Sequence, residues 1–338
     1  LATVAKSTPG SDPLAPFSAP VRRWFEASFE GPTPAQSGGW EAISSGAHTL
    51  ICAPTGSGKT LASFLWGIDR LSRATEKPPG VRLVYVSPLK ALSYDIERNL
   101  RAPLKGIGAD ISVGLRTGDT PQSERRAMKK TPPEILITTP ESLYLMLSSS
   151  VREIFATAEA VIVDEIHAVA QSKRGSHLAL SLERLDHLAR EHQEEEGGKV
   201  KEVQRIGLSA TQRPLERIAK FLTGPKRECE IVDAGRTKEL DLQIVVPVDD
   251  MAEPGAPNFP NSGGVPAEGE PLAHVRSIWP AIYPRLLELV QEHHSTIIFV
   301  NARRAAERLA KRLNELANGE GEQELPATEH AGGEGSRG

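Results

Sequence analysis

The chain has 338 residues, with 40 Lys and Arg against 44 Asp and Glu, a formal net charge of -4. That length accommodates two domains with real cores. The acidic balance excludes a uniformly basic nucleic-acid binder and leaves room for a local basic groove.

Cys52 and Cys229 lie far apart and fit no metal-ligand spacing. Such sparse cysteine usage suits a reducing compartment, and the expected location is cytoplasmic. No apolar run is long enough to span a membrane. Residues 1–20 are rich in Ser, Pro and Ala and lack the cationic-then-apolar order of a signal peptide. They are expected to form a flexible N-terminus. The chain opens on Leu, as a fragment or a literal reading of an alternative start codon would.

Pro20 to Phe29 reads as a helix. His48-Thr49-Leu50-Ile51-Cys52 suits a buried strand, and Leu61, Phe64, Leu65, Ile68 and Leu71 then recur at helical spacing. Between them lies Ala53-Pro54-Thr55-Gly56-Ser57-Gly58-Lys59-Thr60, a phosphate-binding loop pattern in its mechanistic context of strand, glycine-rich turn and helix. Gly56 and Gly58 let the backbone curl so that its N–H groups face an anion, and the helix adds its positive end. Lys59 supplies a mobile charge for the β- and γ-phosphates, and Thr60 a hydroxyl for Mg²⁺. Ala53, Thr55, Gly56, Ser57, Gly58, Lys59 and Thr60 are thus the candidate nucleotide-binding residues. The strict pattern opens with glycine, and this loop opens with Ala53. The bland alternative is a glycine-rich turn with an incidental lysine.

Further apolar, β-branched runs follow at Val81–Ser87, Ile111–Leu115, Glu134–Thr138, Ala160–Asp164 and Gln204–Ser209, with helical patterns between most of them. The alternation predicts an α/β fold, a parallel sheet with helices on both faces. Ligands bind such sheets at the carboxyl ends of the strands. Val161-Ile162-Val163-Asp164-Glu165-Ile166-His167 delivers two acids at such an end. In a phosphate-loop enzyme the first, Asp164, holds Mg²⁺, and the next, Glu165, orients or deprotonates the attacking water. Asp-Glu after a strand is also a common solvated loop start. A lone His167 near a core edge is more often packed than working.

From Asp249 to Pro271 the chain is rich in Pro and Gly without apolar periodicity, which reads as a linker. Beyond it Ile282–Val290 reads as a helix, Thr296–Val300 as a strand and Ala305–Leu316 as a helix, before Gly- and Glu-rich sequence from Asn318 to Gly338. The expected layout is a first domain over 21–248, a linker over 249–274 and an unfinished second α/β domain over 275–338.

Asp164-Glu165-Ile166-His167 with the phosphate loop, and Ser209-Ala210-Thr211 after a later strand, resemble the first RecA-like domain of a superfamily-two helicase. Ser87-Pro88-Leu89-Lys90, Arg116-Thr117-Gly118-Asp119 and Thr138-Thr139-Pro140-Glu141-Ser142 are similar to the nucleic-acid-contacting motifs of that group. Ser87, Pro88, Lys90, Arg116, Thr117, Gly118, Thr139, Pro140, Glu141 and Ser142 are therefore candidate nucleic-acid residues. The hydroxyls of Thr117, Thr139 and Ser142 suit phosphate oxygens. Between Arg82 and Lys130 ten Lys or Arg stand against five Asp or Glu, a local excess that a bare solvated surface would also explain. Backbone contacts carry no base code, so weak sequence preference is expected.

The run from Ser172-Lys173-Arg174-Gly175 to Leu185, Asn99-Leu100-Arg101-Ala102-Pro103-Leu104, and Phe299-Val300-Asn301-Ala302-Arg303-Arg304 resemble the large helicase-related (Lhr) proteins. The likeness covers nearly all of residues 17–316. It implies an ATP- and Mg²⁺-using, DNA-stimulated motor moving 3′ to 5′ on single-stranded DNA, unwinding duplexes or RNA–DNA hybrids, usually in DNA repair. It also implies a role for His167, Ser209 and Thr211 in coupling nucleotide state to movement, and for Gln36, within Phe29–Gln36, in reading adenine. A Gln amide can bond an adenine edge bidentately, with Phe17 or Trp24 as stacking candidates. The alternatives are a remodelling ATPase without processive unwinding, or a nucleotide-dependent nucleic-acid-binding module. Protein partners are not legible.

The resemblance places an arginine finger in a Gln-Arg-x-Gly-Arg-like element late in the second domain, and this sequence has none there. In related phosphoryl transfers such an arginine contributes about 10³–10⁵ in rate. Residues 1–338 are therefore expected to bind ATP–Mg²⁺ and single strands weakly, to hydrolyse ATP slowly and not to separate strands. Turnover and strand-displacement assays on the purified chain check this, and robust unwinding would contradict it.

Overall fold

The computed structural model describes residues 2–4, 12–210, 213–235, 241–245 and 279–319. Two compact units divide the chain, residues 1–238 and 239–338. In the first, strand β1 (Ala2–Val4) precedes helices α1 (Ala19–Ser28) and α2 (Pro34–Ser44). Strand and helix then alternate as β2 (Thr49–Cys52), α3 (Lys59–Arg73), β3 (Leu83–Val86), α4 (Lys90–Ile107), β4 (Val113–Arg116), α5 (Gln122–Lys130), β5 (Ile135–Thr138) and α6 (Pro140–Leu147). After a 3₁₀ turn come β6 (Ala160–Val163), α7 (Ile166–Ala170), α8 (Lys173–Glu195), β7 (Gln204–Ser209), α9 (Leu215–Thr223) and β8 (Cys229–Asp233).

All strands are parallel, in the order β1-β8-β2-β7-β6-β3-β5-β4. The strands expected in this unit form, most of them trimmed at their ends, with β7 as expected and β4 shifted to end at Arg116. The period of two is legible in their burial. Ile51, Leu83, Tyr85 and Ile162 enter one core, beneath α1 to α4. Their neighbours Leu50, Val84, Val161 and Val163 enter the other, beneath α6 to α9. Strands covered on both faces are continuously apolar rather than alternating, as parallel strands are. Edge strand β4 is only half-buried.

The N-terminal stretch departs from its composition. Leu14 and Phe17 are buried, and Phe17 meets Trp40 edge-on at 4.9 Å. Asp12 caps the turn, accepting from the Leu14 N–H at 2.9 Å and pairing with Arg22 at 2.7 Å. Two apolar anchors suffice to hold a segment whose other residues read as flexible, and β1 adds to the sheet edge beside β8. Strand β8 itself was not expected, its five residues being bracketed by charge.

In the second unit α10 (Trp279–Glu292) and α11 (Arg303–Ala317) form where helices were expected. The strand expected at Thr296–Val300 does not. Ile297 is 80% and Phe299 90% exposed. β-Branched sequence becomes a strand only with a ladder partner, and the described residues of this unit supply none. The expected linker lies outside the described residues. Among the described residues, no helix is long and apolar enough to cross a membrane.

At the amino ends of the strands a charge cluster ties α8 to the sheet. Arg227 reaches Glu183 at 2.9 Å, Asp186 at 3.0 Å and Glu202 at 3.1 Å. Arg205, almost wholly buried in β7, shares Glu183 at 2.9 Å. Burial works to raise the Glu183 carboxyl, but hydrogen bonds from Arg205 and Arg227 prevail and hold it below its ordinary value. Glu202 is lowered likewise, against burial, by His48 and Arg227. Stability from such lowered carboxylates is present above about pH 4.3, the ordinary Glu value, and is lost as pH falls through their folded values. Arg227→Ala leaves the buried Asp186 carboxylate with the Val203 N–H at 2.8 Å and Arg190 at 3.8 Å, and should cost roughly 2 kcal/mol in urea unfolding at pH 7. The gap to the parent should narrow as pH falls below about 4. A variant of unchanged midpoint would remove this cluster from the account of stability.

Candidate nucleotide and nucleic-acid site

The loop between β2 and α3 turns on Gly56 (φ 81°) and Gly58 (φ 79°), both in the left-handed region that glycine alone enters freely. A Cβ on Gly58 would also lie 2.5 Å from Gln36 Nε2. Ala53, where the strict pattern has glycine, is fully buried, its methyl in the core and its N–H donating to Ser209 O at 3.2 Å. A side chain pointing into the core leaves the phosphate side of the loop clear, so the departure from glycine is accommodated. Ser57 Oγ is buried without a partner. Thr55 is exposed and Thr60 half-buried on the same loop.

Lys59 is 7% exposed and its Nζ donates to Ala53 O at 2.6 Å and Pro54 O at 2.9 Å. Burial pushes its pKa down, opposed by the charges of Glu165 and Asp164, with a net lowering. A buried ammonium of this kind is held by carbonyl dipoles that a phosphate oxygen can displace. Thr33 and Gln36 form a capping box at the start of α2. Thr33 Oγ1 donates to Ser57 O at 2.7 Å, and Gln36 Oε1 accepts from the Thr33 N–H at 2.9 Å. The adenine-reading candidate is thereby anchored to the phosphate loop.

Asp164 and Glu165 leave the end of β6 two strands away. The Tyr85 hydroxyl donates to Asp164 Oδ2, and the Glu165 N–H donates to Oδ1 at 2.9 Å. Burial first, then the charge of Asp164, pushes the Tyr85 phenol well above its usual pKa, so it remains a donor. Glu165 has φ 44° and ψ 41°, the one non-glycine left-handed residue among the described residues. Such strain concentrates where structure over-determines a side chain's direction. His167 Nε2 lies 3.2 Å from Glu165 Oε2. Its Nδ1 lies 3.2 Å from both the Ala210 N–H and Ser209 Oγ. A backbone N–H can only donate, so Nδ1 accepts and Nε2 carries the proton given to Glu165. His167 thus bridges Glu165 to the backbone just past β7. Ser209 lies in that link, and Thr211 lies outside the described residues.

These groups face one cavity of about 530 Å³, into which Gln36, Lys59, Thr60, Asp164 and Glu165 project. Sequence reading missed its apolar wall, formed by Phe29 and by Ile96, Leu100 and Pro103 of α4, with Asn99 at its rim. Neither stacking candidate lines it. Phe17 is in the core, and Trp24 packs edge-on against Phe29 at 5.8 Å. Phe29, half-exposed and braced by Phe25 at 4.9 Å, lines the cavity instead. Its exposure beside Gln36 was the signal, and sequence does not show exposure. A larger cavity, about 670 Å³, opens at the amino ends of the strands, away from the phosphate loop.

The nucleic-acid candidates gather past the carboxyl ends of β3, β4 and β5, but their hydroxyls turn inward. Ser87, Pro88, Thr117, Thr139, Pro140 and Ser142 are buried. Thr139 Oγ1 donates to Ser142 Oγ at 3.2 Å and accepts from the Ser142 N–H, capping α6. Thr117 Oγ1 accepts from the Asp119 N–H at 3.3 Å. Thr139 thus spends its hydroxyl hydrogen on Ser142, while the Thr117 and Ser142 hydroxyls act as acceptors within their turns, as small hydroxyls after strands commonly do. Lys90, Gly118 and Glu141 remain outward-facing, with Lys90 paired to Asp119 at 2.8 Å. Arg116 is half-buried, its Nη1 unpartnered, its pKa lowered by burial and by Arg125.

A parallel sheet carrying a phosphate loop and a strand-end acid pair is the arrangement of a RecA-like helicase domain. The DEAD/DEAH box helicase family matches residues 33–218, more than half of the chain, and the chain belongs to that family. Over nearly its full length it is similar to Lhr helicases. It is 50% identical over 332 residues to that of Mycolicibacterium smegmatis, covering 95% of this chain and 20% of the relative. It is 44% identical over 317 residues to the Lhr helicase/uracil glycosylase of Escherichia coli, covering 89% and 20%. The chain thus spans about a fifth of the length of these relatives. The solved structure of Mycobacterium smegmatis helicase Lhr bound to ssDNA and AMP-PNP is 50% identical with a TM-score of 0.72, over 92% of this chain and 37% of that one. The helicase MrfA, at 22% identity and a TM-score of 0.67, shares the fold.

Glu165→Gln should slow hydrolysis by about two orders of magnitude or more while ATP binding persists. Asp164→Ala should also weaken Mg²⁺-dependent binding. Single-turnover hydrolysis and nucleotide titration separate the two, and equal, mild effects would reduce the acid pair to an ordinary loop.

Proposed function

We propose that the chain binds ATP with Mg²⁺ at the carboxyl ends of β2 and β6, as the nucleotide-binding part of a helicase that couples hydrolysis to movement along single-stranded DNA. The observation carrying this is the meeting of Lys59, Asp164 and Glu165, far apart in sequence, around one cavity. The backbone of residues 53–58 would cradle the phosphates, with Lys59 leaving its loop carbonyls for them. The orphaned Ser57 Oγ and the free face of the loop fit such an anion. Gln36 would read adenine and Phe29 stack on it.

The donor set also fits Mg²⁺. No group of three or more His, Cys, Asp or Glu among the described residues could hold a metal ion alone. Mg²⁺ commonly takes one or two protein oxygens plus substrate phosphates and water, and Thr60 and Asp164 would supply the protein share. When bound it neutralises charge on the β- and γ-oxygens. Glu165 would orient the attacking water and receive its proton. His167, donating to Glu165 and accepting from the Ala210 N–H, would report that event to the loop after β7.

Strand-end backbone N–H groups and Lys90 would contact the phosphates of the strand, with Arg116 behind them. Support comes from the relative whose structure is bound to ssDNA and AMP-PNP. Movement 3′ to 5′, action on RNA–DNA hybrids, a part in DNA repair and a cytoplasmic location complete the proposal. So does a layout of an ATP-binding domain over 21–248, a linker over 249–274 and the start of a second RecA-like domain from 275. Lys59→Ala should abolish Mg²⁺-dependent hydrolysis and reduce nucleotide affinity, measured by titration with a fluorescent ATP analogue. Largely retained turnover would overturn the assignment.

A further inference from the structure

The resemblance left one motif without a function, Ser172-Lys173-Arg174-Gly175 at the start of α8. Ser172 Oγ donates to Val169 O at 2.8 Å and accepts from the Gly175 N–H at 3.4 Å. A Cβ on Gly175 would lie 2.3 Å from the Val169 carbonyl oxygen, so glycine lets α8 abut the backbone of α7. The first turn of α8 is fixed by that contact, and Arg174 with it. Arg174 Nε donates to Glu141 Oε1 at 2.6 Å, and its Nη2 donates to Pro88 O at 2.9 Å. Pro88 follows β3, and Glu141 opens α6 just past β5, the neighbour of β3. One planar guanidinium therefore spans two loops with separate N–H groups, which a lysine ammonium, a point charge, cannot reproduce.

Stability gives this arrangement little reason to exist. The pair is 45% and 51% exposed, and exposed pairs contribute at most about 1 kcal/mol. Helix α8 is already anchored by Leu178, Leu182 and Leu185, all buried. Glu141 is also a costly group on a face meant for phosphates, since its charge repels them. Burial works to raise its carboxyl, but the Arg174 hydrogen bond prevails, so the pair is formed at neutral pH.

We propose that Arg174 is a positioning residue for single-strand binding, holding the Pro88 and Glu141 loops at the spacing that the strand's backbone meets. The inference rests on the assignment of those loops to nucleic acid made above.

The test is equilibrium binding of fluorescent oligo-dT to the 338-residue chain by anisotropy, over a salt series. Arg174→Ala should weaken binding about tenfold, and Arg174→Lys should restore part of it. Glu141→Gln should also weaken binding, although removing a negative charge would by simple electrostatics strengthen it. The slope of log K against log salt should be unchanged in Arg174→Ala. A fall of about 0.7 would mean a lost direct phosphate contact and would overturn positioning. Tighter binding by Glu141→Gln, or a melting temperature lowered by more than about 5 °C in Arg174→Ala, would also overturn it, the latter by marking a structural role. Lys90→Ala, run alongside, separates the two levels. If it weakens binding and Arg174→Ala does not, only positioning fails. If neither does, the loop assignment fails and takes this inference with it.

Discussion

The placement of β7 between β2 and β6 is the constraint on which the site depends. Cys52 pairs with Ser209 and Val163 with Gly207 across parallel ladders. Neighbouring strands stand about 4.8 Å apart, so the phosphate loop and the acid pair face one another across roughly 10 Å. That gap suits a nucleotide's terminal phosphates, and Ser209 and Ala210 at the end of β7 touch His167. Because every strand is parallel, no motif falls on the far edge. The sheet is buried on both faces, so its ladder is insulated from water and its ends are set rigidly.

Within that gap the charges are arranged to oppose one another. Lys59 is partly desolvated and tethered to carbonyls of its own loop, with Asp164 and Glu165 across the cavity favouring its charged form. Tyr85, stacked on Phe64 at 4.6 Å in the core, holds Asp164 from beneath. Glu165 departs from the ordinary backbone regions and leans on His167. Each acid is thus aimed by a different partner, which is how two adjacent carboxylates can take different tasks.

The loops past β3, β4 and β5 are built on another principle. Their small hydroxyls close turns, and arginines brace the turns from outside. Arg125 donates to Thr120 O and Gly118 O, both at 2.7 Å, as Arg174 does to Pro88 O. Thr138 Oγ1 donates to Arg116 O at 2.7 Å, joining the ends of β4 and β5. Much of the polar character of these loops therefore goes into holding them in place.

Residues 53–60 and 161–167 were legible because their chemistry is local. Glycines, a lysine and two acids sit within a few positions of the strands that aim them. The helices α3 and α11 were legible for the same reason, their apolar stripes being periodic. What sequence could not show was set by partners distant in the chain. Phe29 rather than Phe17 or Trp24 lines the cavity because Trp40 takes Phe17 into the core. Leu14 is ordered because a core lies beneath it, and β8 is a strand because β2 offers it a ladder. Ile297–Val300, equally β-prone, has no such ladder among the described residues and stays outside any strand. The amino-acid sequence by itself determined the fold class, the phosphate loop and the acid pair, since these follow from spacing along the chain. The direction of each side chain, inward to cap a turn or outward to a ligand, was decided by tertiary packing, because burial and hydrogen-bond partners are properties of neighbours in space.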